Sequence, residues 1–218
     1  MPKAFLWMAS LGLMMASANA QARATHPLIA KLERLAQAKD AEAVYHLGMA
    51  YLTGSGVPKD LRKALAYFRQ AAALGDPLGA YKLGCYYDRQ GGELVEDDAA
   101  LALKYKLVAA EAGYALAQQG VSSLYARSED YAKALEWIAK AAQQGWPDAM
   151  LTYASVHSGA PGVQRDPVKT AAYFRLYLDR VEGNSKQRQW LRTFEAKLSP
   201  EQRAQSAALV RAYRPQPT

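Results

Sequence analysis

Two kinds of segment alternate along this chain, and this repetition constrains the fold more than any other feature of the sequence. Segments related to AVYHLGMAY begin at four positions, namely Ala43, Gly79, Ala117 and Ala149. A second kind of segment follows, as in DLRKALAYFRQAAALG from Asp60 and DYAKALEWIAKAAQQG from Asp130. Such a period predicts one supersecondary unit per repeat, here a helix, a loop, a helix and a turn.

The second segments carry the apolar spacing of a helix face. In the first unit Ala64, Phe68, Ala71 and Ala72 fall at the i, i+4, i+7 and i+8 positions of one face. One helix pair cannot bury such a stripe alone, whereas stacked pairs form a continuous core. The sequence therefore predicts an all-α fold, a right-handed α-solenoid of antiparallel helix pairs.

The domain boundaries follow from the repeat. We expect four units at about residues 41–76, 77–114, 115–146 and 147–182, with an N-terminal capping helix at 28–40. Two C-terminal capping helices are predicted within residues 185–213, where Ser199, Pro200 and Gln202 have the spacing of a capping box. The last residues, 214–218, are predicted to form a flexible tail.

The stretch YLTGSGVPKD, which ends at Asp60, has two interpretations. A glycine-rich loop before a helix can bind phosphate, but Lys59 is followed by Asp60 and not by the Ser or Thr of a phosphate loop. In the other interpretation Gly54 ends one helix and Asp60 caps the next. The loop recurs before Asp166 and Pro167, where proline suits a first helical position, and this recurrence favours the structural interpretation.

The spacing of the repeat resembles the Sel-one-like repeat (SLR) family, a branch of the tetratricopeptide-like superfamily. The first unit carries A-x-x-x-L-G-x-x-Y-x-x-G-x-G-V-x-x-D-x-x-K-A from Ala43 to Ala64, and Y-F-x-x-A-A-x-x-G from Tyr67. The third unit lacks the Gly-x-Gly-Val loop. The fourth unit has Ala154 and His157 where the pattern expects Gly and Tyr.

The resemblance implies a non-enzymatic scaffold for protein–protein interaction. For an exported bacterial member it implies an adaptor in an envelope complex or a modulator of a membrane sensor. The first helices of such a solenoid line its concave face, so their non-pattern side chains are expected to contact a protein or peptide partner. This predicted surface comprises His46, Met49, Thr53, Lys82, Tyr86, Arg89, Thr152 and Ser155. An aromatic residue with two cations suits a peptide or an acidic loop, and an ordinary solvated surface is the alternative.

An enzyme is the competing class, because the resemblance extends to cysteine-rich exported relatives linked to β-lactam binding or hydrolysis. A hydrolase acting on β-lactams or cell-wall peptide is therefore the alternative function. Those relatives carry a cysteine pair in each repeat, whereas Cys85 is the single cysteine here. The sequence has no Ser-x-x-Lys motif, and His26, His46 and His157 have no partners at metal-ligand spacing. We expect no catalytic residue, no metal site and no cofactor.

The start of the sequence predicts export. Lys3, an apolar run and the small residues before position 21 form a secretory signal peptide over residues 1–20, cleaved after Ala20. We expect a periplasmic or secreted protein with no membrane span after cleavage, and a monomer. Cys85 is interpreted as a buried small residue or as a thiol that pairs with a second chain.

The charge is unevenly distributed. The net charge is +7, and residues 175–218 contain 9 Lys or Arg against 4 Asp or Glu. No nucleic-acid motif accompanies this excess, so no nucleic-acid partner is expected. An acidic protein or a polyanionic envelope surface is one interpretation of the excess, and a solvated helix face is the other.

Overall fold

In the computed structural model the secondary structure is helical throughout the part of the chain that it describes, residues 26–216, with no β-strand in that range. The predicted signal peptide lies outside the described residues. The described part of the chain divides into two compact units, one that ends at Asp76 and one that begins at Pro77. No helix within residues 26–216 has the length and apolar character needed to cross a membrane.

The first unit contains α1 (Pro27–Gln37), α2 (Ala41–Thr53) and α3 (Leu61–Ala73). Its core forms where Ile29 of α1 meets Leu47 and Ala50 of α2, with Val57 of the loop packed against them. Phe68 of α3 is fully buried on the face that the periodicity predicted. The pairing of α2 with α3 is the first repeat.

The loop between α2 and α3 has the predicted structural role. Gly54 has φ 80°, a left-handed conformation that glycine adopts without strain, and its N–H donates to Ala50 O over 2.8 Å. The Asp60 carboxylate accepts from the Lys63 N–H over 3.0 Å and so caps α3. The backbone N–H of Asp60 donates to Tyr51 O over 2.9 Å, which closes the loop. These bonds account for Gly54 and Asp60 without a ligand.

The second unit begins with α4 (Pro77–Cys85), a wide π-type turn (Tyr86–Gln90) and a short 3-10 turn (Gly92–Leu94). Seven helices follow in chain order: α5 (Ala99–Glu111), α6 (Ala115–Arg127), α7 (Tyr131–Gln143), α8 (Pro147–Gly159), α9 (Pro167–Leu178), α10 (Ser185–Ala196) and α11 (Pro200–Ala212). From α4 to α9 each helix packs against the next, and α10 and α11 both pack on α9.

Aspartates begin the second helices of this unit, as they do in the first. The side chains of Asp98, Asp130 and Asp166 each accept from the backbone N–H three residues later. This satisfies one of the N–H groups that a helix start leaves free and places a negative charge at the positive end of the helix dipole. The cap expected from the recurrence of the loop before Asp166 is therefore confirmed.

Small residues let the helices of the second unit approach closely. Ala109, Ala117 and Val121 form one core cluster, and Ala141 and Met150 belong to the next. Each of these five side chains is at most 1% exposed. Burial of such apolar surface contributes roughly 25 cal/mol per Å², so the stacked helix faces provide the main stabilisation of the unit.

The C-terminal helices have the predicted start signal. Ser199 accepts from the Gln202 N–H over 3.2 Å, and Gln202 accepts in return from the Ser199 N–H over 3.0 Å. Beyond α11, the Tyr213 hydroxyl donates to the last carbonyls of α7, and the Gln216 N–H donates to Gln143 O over 3.0 Å. Residues 217–218 lie outside the described residues, and the flexibility of the tail stays a prediction.

Candidate functional site

Three of the residues predicted to contact a partner line an open groove in the first unit. His46, Met49 and Thr53 lie on α2 beside Leu28 and Leu32 of α1, around a volume of about 420 Å³. Most of the residues that line the groove are apolar, and one of them, Leu28, is 56% exposed. His46 Nε2 lies 3.6 Å from Glu42 Oε1, so its ring has one acidic neighbour.

In the second repeat the structure separates the three predicted residues. Arg89 is exposed and Lys82 is half-buried, but Tyr86 is only 6% exposed. The prediction that Tyr86 points outward is therefore wrong. Tyr86 lies three residues after Leu83 and seven after Gly79, so it continues the buried stripe of the helix. Burial raises the pKa of its phenol.

Thr152 and Ser155 lie on α8, the first helix of the fourth repeat. Thr152 is half-buried and donates to Asp148 O over 2.8 Å, whereas Ser155 is exposed. Ser155 borders a groove of about 450 Å³ between α8, α9 and α10. We call this the C-terminal groove; it is lined by Ala154, Ser155, Ser158, Phe174, Asn184, Lys186, Gln187 and Trp190.

Aromatic rings form the apolar part of the C-terminal groove. The ring centroids of Phe174 and Trp190 are 4.5 Å apart, and Phe194 stacks behind Trp190 at 5.1 Å. Trp190 nevertheless remains 42% exposed. Tryptophan is one of the residues enriched at the hot spots of protein interfaces, and an exposed apolar patch rimmed by polar residues is typical of an interaction site.

The wall of the C-terminal groove is held by the start of α10. Asn184 accepts from the Gln187 N–H over 2.9 Å, and Gln187 accepts from the Asn184 N–H over 3.1 Å. The Gln187 amide also lies 3.4 Å from the Tyr177 hydroxyl, so it links α10 to α9. This reciprocal cap fixes the approach of α10, which carries Trp190 into the groove.

A partly buried ionic cluster that joins the second repeat to the third was not predicted from the sequence. Lys106 of α5, which is 5% exposed, donates to the carboxylate of Asp88 in the π-type turn. Arg127 of α6 donates to the same carboxylate over 2.6 Å. Burial alone would raise the pKa of Asp88, but the hydrogen bonds from both cations hold it below its ordinary value. One signal was available, because this repeat has Lys106 where the first repeat has Phe68.

The single cysteine lies beside this cluster. Cys85 is buried, and burial raises the pKa of its thiol although Lys106 and a hydrogen bond with Tyr81 act in the opposite direction. A nucleophilic cysteine needs an accessible sulfur and a lowered pKa. The arrangement around Cys85 is therefore that of a structural thiol.

His157 occupies a tyrosine position of the repeat and is 4% exposed. Neither ring nitrogen has a hydrogen-bond partner within residues 26–216. The ring packs edge-on to Tyr153 at 4.5 Å. Burial and the Lys169 charge lower its pKa, and the opposing effect of the Asp166 carboxylate is smaller. The histidine is therefore neutral at pH 7 in the folded protein.

No set of three or more His, Cys, Asp and Glu side chains in the described part of the chain is placed to hold a metal ion. The expectation of no catalytic residue, metal or cofactor stays a prediction. The acidic side chains at the helix starts are engaged as caps.

Comparison with known proteins identifies the repeat. The model of the Sel1 repeat family matches residues 41–76, 77–114, 115–146 and 147–176. Among curated proteins, the chitin synthase regulator SKT5 of Saccharomyces cerevisiae is 28% identical over 156 residues, which are 68% of this chain and 22% of that protein. The chain thus spans less than a quarter of the length of that relative.

Solved structures show the same fold. A Sel1 repeat protein from Oxalobacter formigenes is similar over 84% of this chain and 77% of that one, with a TM-score of 0.66 and 23% identity. A protective antigen of uropathogenic Escherichia coli with an SLR fold covers 85% of this chain and 48% of its own, with a TM-score of 0.52 and 23% identity. The predicted all-α solenoid of Sel1-like helix pairs is confirmed.

Proposed function

We propose that this chain, which belongs to the Sel1 repeat family, is a non-enzymatic scaffold that binds a protein partner in the bacterial periplasm. Proteins of this family typically act as scaffolds for protein–protein interaction. The proposed role is that of an adaptor in an envelope complex or a modulator of a membrane sensor. The signal-peptide pattern of residues 1–20 supports the location.

The C-terminal groove is the observation that carries this proposal. It joins a predicted contact residue, Ser155, to an aromatic surface that stays exposed at Trp190. Its volume of about 450 Å³ accommodates one or two apolar side chains of a partner. The hydroxyls of Ser155 and Ser158 and the ammonium group of Lys186 provide polar contacts to the partner's backbone at the rim.

A regulatory role has support from one relative. The yeast protein is described as a regulator of chitin synthase, and its similar segment is a minor part of its length. Repeats that bind and position another protein fit such a role. We extend to this chain only the principle of regulation through binding, because the yeast substrate and partners belong to the whole of that protein.

The hydrolase alternative lacks an observation in its favour. The thiol of Cys85 is buried and its pKa is raised, which opposes nucleophilic attack. A chromogenic β-lactam assay on the purified protein tests this alternative directly. Turnover that one surface substitution abolishes would contradict the scaffold proposal.

Site-directed photo-crosslinking in cells tests the scaffold proposal. A photo-reactive residue at Ser155 or Ser158 is expected to capture the same protein, and the periplasmic fraction is expected to contain the product. Ala132 and Gln143, which are exposed on α7, are the control positions and should capture nothing in common with the groove. Trp190→Ala should abolish capture at Ser155 because it removes the aromatic surface.

The thermal melting curve of the Trp190→Ala protein is the folding control. Two outcomes would contradict the proposal: equal capture at the α7 positions, or unchanged capture in a folded Trp190→Ala protein. Recovery of the product with cytoplasmic proteins would contradict the proposed location while leaving the scaffold role in place.

A further inference from the structure

Five arginines from three helices surround two clefts in the C-terminal helices. Arg175 of α9 borders both clefts. Arg188 and Arg192 of α10 line the smaller cleft, of about 240 Å³, and Arg203 and Arg211 of α11 line the larger one, of about 400 Å³. We call these five side chains and the clefts between them the arginine surface.

Most of this positive charge is not neutralised within the protein. Arg175 pairs with Glu195, to whose two carboxylate oxygens it donates over 2.6 and 2.7 Å. The other four arginines form no salt bridge with any residue in the range 26–216. Asp179 in the smaller cleft is the second carboxylate of the surface. The residues that line the two clefts therefore carry three positive charges in excess, and Glu201, which is not among them, interacts electrostatically with Arg203.

Neutral acceptors hold several of these arginines in place. Arg188 donates to Gly183 O over 3.2 Å, Arg192 to the Gln189 side chain over 2.6 Å, and Arg203 to Leu198 O over 2.7 Å. Such bonds orient a guanidinium group without cancelling its charge. A partner carboxylate would then meet a side chain that has already lost part of its conformational freedom, which lowers the cost of binding.

The clefts between the arginines have apolar floors. Leu178 and Leu191 line the smaller cleft, and Leu198 and Val210 line the larger one. Leu178, Leu191 and Leu198 are at most 7% exposed, so they present carbon atoms at the base of each cleft. An apolar base beneath a ring of guanidinium groups complements a chain with alternating apolar and acidic side chains.

We propose that the arginine surface binds an acidic segment of a protein partner, in which glutamates or aspartates flank leucine-like side chains. The proposal rests on the proposed function, since it assigns the chemistry of a protein partner to a scaffold. Carboxylates fit the bidentate donor geometry of arginine. A flexible segment also reaches the apolar floors of the clefts, which a flat membrane surface does not.

Fluorescence anisotropy with a short labelled peptide that alternates glutamate and leucine tests this proposal on the purified protein. We expect saturable binding that weakens steeply as salt is added, because exposed charge pairs are screened. A peptide with glutamine in place of glutamate is expected not to bind. The combined charge reversal Arg188→Glu, Arg192→Glu, Arg203→Glu and Arg211→Glu should weaken binding by at least about tenfold.

The matched control reverses four exposed cations of the first unit, with Arg34→Glu, Lys59→Glu, Arg62→Glu and Arg69→Glu. It changes the net charge by the same amount, so it separates local recognition from long-range attraction. We expect the control to change the affinity by less than about threefold. Arg192→Lys, which keeps the charge and loses the planar fork, should weaken binding by an intermediate factor.

Several results would overturn the proposal. One is binding of the glutamine peptide with the same affinity as the glutamate peptide. Another is an equal loss of affinity in the two fourfold variants. A third is binding to anionic phospholipid vesicles without binding to the acidic peptide, which would make the surface a membrane contact. If the fourfold variant melts early, the glutamine peptide and the salt dependence on the unmodified protein decide the question. Crosslinking at Ser155 that persists while the peptide fails to bind would reject the arginine surface and retain the scaffold role.

Discussion

The first and second repeats fill the space over a helix glycine with side chains of different chemistry. In the first repeat the ring of Phe68 lies over Gly48, where an added Cβ atom would come within 2.6 Å of the ring. In the second repeat Lys106 occupies the equivalent position over Gly84, where an added Cβ atom would lie 2.8 Å from Lys106 Cγ. The glycine accommodates a large side chain in both repeats, whether that side chain is a ring or an aliphatic stem with a charge.

The charge of Lys106 requires an acceptor that the first repeat does not need. Asp88 supplies it from the π-type turn, in which Arg89 has the left-handed φ of 65°. The equivalent residue of the first repeat is Leu52, inside a regular helix. We call the space over Gly48 or Gly84 the slot. The comparison indicates that the slot itself does not specify an apolar residue. What the slot requires is sufficient volume and a partner for any polar atom placed there.

The largest expected effect comes from moving the charge into the first repeat. Phe68→Lys places an ammonium group in a fully buried site where Leu52 takes the place of Asp88, so we expect a loss of at least about 4 kcal/mol in the free energy of unfolding. Urea unfolding followed by circular dichroism measures it. Phe68→Leu is the control and should cost about 1 kcal/mol, because it stays apolar. A loss below about 2 kcal/mol for the lysine variant would show that the slot is open to water.

A smaller loss is expected when the second repeat keeps its lysine but loses the acceptor. Asp88→Ala leaves the ammonium group of Lys106 buried beside Arg127, and we expect a loss of about 3 kcal/mol in the same assay. In the double variant Asp88→Ala with Lys106→Met, most of this stability should return. If the double variant were as unstable as Asp88→Ala alone, the role of Asp88 would be to shape the π-type turn and not to pair Lys106.

The smallest effect concerns the fourth repeat, where the tyrosine position of the first repeat is a histidine. Tyr51 lies under Lys63, whose Nζ is 5.0 Å from the ring centroid, a favourable contact between a cation and a π-system. In the fourth repeat Lys169 takes the place of Lys63. The His157 ring packs against Tyr153, and the charges of Lys169 and Asp166 both act on it. A second positive charge there would face Lys169 without a buried acceptor.

The pKa of His157 is lower in the folded protein than in the unfolded chain. At a pH above the pKa of the unfolded chain, about 6.5, this residue does not lower the free energy of unfolding. As the pH falls through that value toward the folded pKa, the unfolded chain takes up the proton first, and the free energy of unfolding decreases. Melting temperatures measured across this range should fall less in His157→Tyr than in the unmodified protein. Equal pH dependence in the two proteins would show that His157 does not titrate on unfolding.

The helices and their ends were predictable because their signals are local. Asp60, Asp166 and Ser199 cap the helices that follow them, and each cap depends on a few neighbouring residues. The ionic cluster was not predictable, because Lys106, at an apolar position of the pattern, meets Asp88 and Arg127 only after three helices have packed. Period and spacing describe one helix at a time, whereas these contacts arise between helices.

The candidate surface was predictable only in part, for a related reason. His46, Met49 and Thr53 do line a groove, and Ser155 lines another, since they lie outside the buried stripes of their helices. Tyr86 was misassigned because it is not a residue of the repeat pattern, although its spacing from Gly79 and Leu83 places it on the buried face of the helix. The exposure of Trp190 depends on how α10 docks onto α9, which no repeat pattern describes.

The hydrogen bonds of Tyr213 have a consequence for the modularity of the protein. Its hydroxyl donates to the carbonyl groups of Ala142 and Gln143 at the end of the third repeat, while its ring packs against Tyr173 of the fourth. Residues 143–213 are thereby a closed ring of chain, held at both ends by the same bonds. Insertion of a fifth repeat before α10 would separate residues 143 and 213. The fourth repeat, α10 and α11 therefore form the unit that should be transferred together in recombination or design.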